Sequence, residues 1–147
     1  MIRIFKLVFG VAALSGLGLL YGTFNKTIDE MKEPQAYSHI SYFIPDQNAT
    51  LTMVKLTSHS ECEKWRKEYF NASIEQCEGC EVMKNECSAT ISNEILLALQ
   101  GQNINSPYIL KPYSYPEVTI MKGFPDSVFS QMCNIQKESL ASTVCIN

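Results

Sequence analysis

The stretch "SIEQCEGCEVMKNECSA", Ser73 to Ala89, carries three of the chain's six cysteines within eleven residues, two of them as Cys77-Glu78-Gly79-Cys80. Redox centre, metal knuckle or staple are its three readings, and each implies a different architecture around it. A redox pair opens a helix directly after a strand, so that the helix dipole stabilises the first thiolate. Cys77 instead follows a helical pattern, and Glu75, Glu78 and Glu81 disfavour a thiolate. Haem attachment needs a histidine after the second cysteine, where Glu81 stands. Zinc would recruit Cys62, Cys77, Cys80 and Cys87, with His59 nearby. Thiols on an exported domain, however, meet oxidants. All six cysteines, Cys62, Cys77, Cys80, Cys87, Cys133 and Cys145, lie downstream of the apolar amino-terminal segment. Their even number predicts three disulfides in an exported domain. Cys133 is expected to close the terminal loop with Cys145, and Cys62 to pair with Cys80 or Cys87, leaving Cys77 for the remaining one. No metal, cofactor or catalytic residue is expected.

Upstream, "MIRIFKLVFGVAALSGLGLLYGTFNK" places Arg3 and Lys6 ahead of a run without charge from Leu7 to Phe24. A helix of that length spans about 27 Å, close to a bilayer's hydrocarbon core. No pair of small residues follows the run at cleavage spacing, which favours an uncleaved signal anchor over a cleaved secretory peptide. The expected topology is single-pass. Residues 1–6 are cytoplasmic, 7–24 form the transmembrane helix in contact with the lipid bilayer, 25–36 a polar stem, and 37–147 an exoplasmic domain. Ser15, Gly18 and Gly22 fall on one helix face, where small residues allow close helix packing. The expected location is a bacterial inner membrane with the domain in the periplasm; a secreted protein is the alternative.

The net charge of −3 and the scattered Lys and Arg residues argue against a nucleic-acid partner. Within the domain, Tyr37 to Pro45 and Ala49 to Thr57 alternate with period two around the turn residues Pro45-Asp46-Gln47-Asn48, which predicts a hairpin. Ser60 and Glu63 read as a capping box opening a helix that carries Cys62, Trp65, Tyr69 and Ser73 on one face. A second helix is expected from Asn85 or Ser88 to Gln100, stopped by Gly101. Tyr108 to Lys111 and Glu117 to Lys122 read as strands, and Asp126 or Ser127 caps a last helix with Val128, Phe129, Met132 and Ile135 facing inward. The order β-β-α-α-β-β-α makes the fold α+β.

His59 lies near Ser58, Ser60 and Cys62, but no oxyanion loop or orienting carboxylate accompanies it. Asn25, Asn48 and Asn71 each begin a glycosylation sequon. The Tyr/Pro stretch "SPYILKPYSYPEV" offers Tyr108, Tyr113 and Tyr115 as contacts for a protein partner, unless they face the core. The function expected is that of an accessory or structural subunit binding other membrane or envelope proteins. The alternatives are an exported thiol-disulfide oxidoreductase using Cys77 and Cys80, and a secreted effector or inhibitor released by signal cleavage.

Overall fold

A computed structural model of the chain describes residues 35–147. The signal anchor, nearly all of the stem, the face formed by Ser15, Gly18 and Gly22, and the Asn25 sequon lie outside the described residues. None of the described helices is long and apolar enough to cross a membrane.

The alternating stretches form the hairpin: β1 (Gln35–Ile44) pairs antiparallel with β2 (Ala49–Ser58), with Tyr42 opposite Leu51. A single 3₁₀ turn, Pro45–Gln47, joins them, and Asn48 leaves it with φ +48°. Asparagine tolerates this left-handed conformation better than most residues. Helix α1 (His59–Ile74) follows directly. Its cap is Ser58, whose Oγ accepts the Glu61 N–H at 3.3 Å, so Ser60 sits inside the first turn. Cys62, Trp65, Tyr69 and Ser73 are the buried residues of this helix, as its periodicity predicts.

Ser73–Ala89 departs from expectation. Glu81–Ser88 is a strand, β3, antiparallel to β1, and the helix expected from Asn85 or Ser88 is only α2 (Asn93–Leu99), capped by Ser92 Oγ. The strand is hidden in the sequence because β3 lies at the edge of the sheet with most of its side chains in solvent, so no apolar period marks it. β4 (Tyr108–Lys111), β5 (Glu117–Lys122) and α3 (Asp126–Ser139) follow, and a three-residue strand, β6 (Val144–Ile146), ends the fold. The order is therefore β-β-α-β-α-β-β-α-β, an α+β domain with one antiparallel sheet arranged β3-β1-β2-β5-β4-β6 and three helices.

The two sheet faces are covered unequally. On one, Ile40, Tyr42 and Met53 pack against Trp65 and Tyr69 of α1, and Leu51, Ile109 and Met121 pack against Phe129, Met132 and Cys133 of α3. Among the described residues the opposite face carries only α2, whose Ile95 and Ala98 lie over Val54, Tyr108, Leu110, Val118 and Ile120. Two helices thus seal one side, while a seven-residue helix covers part of the other.

Three disulfides tie the layers together: Cys62–Cys87 joins α1 to β3, Cys77–Cys80 spans the link between them, and Cys133–Cys145 joins α3 to β6. Among the described residues no cysteine is free.

Candidate functional site: a groove on the open sheet face

The register brings polar side chains together where α2 stops short. Ser41 of β1 lies opposite Thr52 of β2, and Thr52 opposite Ile120 of β5. Ser41 Oγ and Thr52 Oγ1 are hydrogen-bonded at 2.9 Å. These three form the floor of a concavity of about 360 Å³. One wall comes from Ser92, Glu94 and Ile95 at the start of α2, and Thr50 and Lys122 close one end.

β3 supplies the other wall through a β-bulge. Ser41 pairs with Lys84, but the next residue, Tyr42, pairs with Val82, so β3 has one residue more than β1 at this point, Met83. In an unbroken ladder Met83 and Lys84 would point to opposite faces. The bulge lets both line the groove, with Met83 59% exposed.

The charges here are already matched. Lys122 Nζ donates to Glu94 Oε2 at 2.7 Å, and Ser106 Oγ donates to Glu94 Oε1 at 3.4 Å. Lys84 Nζ donates to Glu86 Oε1 at 2.9 Å. His39, opposite Glu86 in the ladder, has its pKa lowered by burial first and by the Lys84 charge second, against the opposing pull of Glu86. Near neutral pH it presents a neutral imidazole able to donate from one nitrogen and accept at the other. The groove therefore offers hydroxyls, an imidazole and apolar side chains, with its ammonium groups paired to carboxylates.

The residues singled out in the sequence are placed elsewhere. Tyr108 is fully buried beneath α2, its hydroxyl donating to the Gln102 carbonyl at 2.7 Å, and so is no surface contact. Its strand β4 is interior, between β5 and β6. Tyr113 is half-buried on the other side of the sheet, where burial and then the Glu117 carboxylate raise its pKa, and Glu117 also acts on buried Tyr69. Tyr115 is half-buried as well. The three tyrosines thus do not make one partner surface. Tyr108 and Lys111 of β4 point to opposite faces, Lys111 pairing with Glu117 of β5, while Tyr113 and Tyr115 lie in the loop between the two strands.

The histidine and cysteine readings resolve similarly. His59 is exposed at the start of α1, Ser58 and Ser60 bond to each other at 3.1 Å, and Cys62 is bridged and fully buried. The four sulfurs that a zinc site would gather are divided between two bridges. Cys77 follows α1 and is 9% exposed, and Cys80 immediately precedes β3, so the pair does not open a helix. Asn48 is exposed in its turn; Asn71 is exposed on α1, while Ser73 of the same sequon is buried, bonded to Tyr42 Oη at 2.6 Å.

Sequence reasoning found the β1/β2 alternation but not the groove, because the groove needs the bulge in β3. The chain matches no protein-family model, no curated protein and no solved structure.

Proposed function

We propose that this chain is a membrane-anchored accessory subunit whose domain stands in the periplasm and binds other proteins of an envelope complex. Residues 7–24 serve as the single-pass anchor, and three bridges suit the domain to an oxidising compartment. One observation carries the binding role. The sheet face bearing α2 is left partly open, and a bulge turns the apolar side chain of Met83 into the groove there. Grooves of this kind, with apolar walls and a few fixed polar groups, suit a protruding segment of another protein. The role proposed is binding rather than catalysis. The Ser41 and Thr52 hydroxyls bond to each other, and Ser92 Oγ caps α2.

The test is site-specific photocrosslinking in the native host from position 83, with Glu138 on the far surface of α3 as a control position. A discrete adduct with another protein from position 83, absent from position 138, is the expected result. A full-length chain that crosslinks to nothing at 83 and purifies in mild detergent as a lone monomer overturns the proposal.

A further inference from the structure

The bulge has a chemical consequence for one side chain. Four methionines fall among the described residues: Met53, Met121 and Met132 are each 1% exposed, whereas Met83 is 59% exposed. A methionine thioether is oxidised where the reagent can reach the sulfur, and reach is set by exposure or by local opening. Met53, Met121 and Met132 lie between the sheet and the helices α1 and α3, so their sulfurs become accessible only when the core opens. Met83 needs no opening. Lys84, its neighbour in the groove, is held by Glu86.

The competing sulfurs are spent. Among the described residues every cysteine is in a disulfide, so no thiol intercepts the oxidant first. Trp65, the single tryptophan, is 9% exposed and stacked on Tyr69.

We propose that Met83 is a modification site: the position at which the folded domain takes up one oxygen atom from a peroxide-class oxidant to give methionine sulfoxide. In the step, a sulfur lone pair attacks one peroxide oxygen, an S–O bond forms and the O–O bond breaks. The second oxygen leaves as water after proton transfer. Sulfur loses two electrons and the peroxide gains them. The product replaces an apolar, flexible side chain by a polar, chiral one in a groove whose apolar lining includes Ile95 and Ile120. Oxidation there alters the binding surface while sparing the core. The assignment of the site rests on burial and topology and is independent of the partner reading above.

The experiment is a time course of the full-length chain in mild detergent with dilute hydrogen peroxide, followed by peptide mapping of oxygen incorporation. Met83 is expected to react at least about tenfold faster than Met53, Met121 or Met132, with Tm unchanged within about 2 °C after its oxidation. The Met83→Leu variant, which keeps an apolar side chain of similar size, is expected to lose this early oxygen uptake from the domain. Oxidation of any of the three buried methionines as fast as Met83, or unfolding that accompanies modification of Met83, overturns the proposal.

Discussion

Replacing Cys62 and Cys87 together by alanine should destabilise the domain more than removal of either other bridge. Cys62 is fully buried on α1, Cys87 lies on the edge strand β3, their Cα atoms are 6.1 Å apart, and 25 residues separate them in sequence. In the chain-entropy model, releasing a loop of that length from the unfolded ensemble costs about 3.5 kcal/mol, before the lost packing of the sulfur atoms. For Cys133–Cys145, separated by 12 residues, the same expression gives about 2.8 kcal/mol, and for Cys77–Cys80, separated by 3, about 1.6 kcal/mol. At roughly 4 °C per kcal/mol for a domain of this size, the first variant should lose about 14 °C in Tm. Trp65 is the built-in probe: it is the single tryptophan, lies on the same face of α1 as Cys62, and stacks on Tyr69 at 4.0 Å. Urea unfolding followed by its fluorescence, on the oxidised protein, gives the three free-energy losses. A Cys62/Cys87 variant that loses under about 1 kcal/mol, or less than the Cys77/Cys80 variant, would refute the reasoning. Either result would mean that β3 is held chiefly by its ladder with β1.

Three further outcomes follow from the geometry. Lys111 and Glu117 form an ion pair at 2.9 Å with side chains only 5% and 8% exposed, so Lys111→Met should cost about 3–5 kcal/mol by stranding a buried carboxylate. The double change K111M/E117L should recover most of that loss, and denaturant curves of both variants decide the matter. Gly123 has φ +78° and a Cβ there would stand 2.6 Å from the Asn48 carbonyl oxygen, whereas Gly79 at φ +81° has open space. Gly79→Ala should therefore cost about 1–2 kcal/mol for the left-handed backbone alone, and Gly123→Ala clearly more; equal Tm losses would contradict this. His39 binds its proton less readily folded than unfolded, because burial and Lys84 disfavour the cation. Its contribution to stability is complete above the unfolded value near 6.5 and is lost as pH falls below it through the folded pKa, so His39→Gln should flatten the decline in stability on that side of a pH titration.

Where side chains alternate between core and solvent, the elements were legible in the sequence. β1 and β2 show it plainly: Ile40, Tyr42, Leu51 and Met53 turn inward, and the turn sits on Pro45. α1 and α3 show it with helical period, since their buried residues recur on one face. β3 and β6 were not legible for the opposite reason. An edge strand buries little, so its composition answers to solvent, and "EVMKNECS" reads equally well as a loop or the start of a helix. With β3 unseen, the bulge at Met83 and the groove beside it were out of reach. Tyr108 shows a different failure. Its stretch, rich in tyrosine and proline, suggests a surface, but the later β6 pairs outside β4 and makes that strand interior.

By itself the sequence determined the fold class, the four long pieces of regular structure and the disulfide-bonded state of the six cysteines, because periodicity, turn chemistry and cysteine count are local or compositional properties. The tertiary structure decided what depends on long-range pairing: that Cys62 bonds Cys87 rather than Cys80, that β3 joins the sheet at β1, and that two helices seal one face while one small helix leaves the other open. Those outcomes hinge on which edge of β1 remains unpaired once β2 has taken the other. Residues 81–88 find their backbone partner in the edge of β1 that β2 leaves free, and their covalent one in Cys62 of α1.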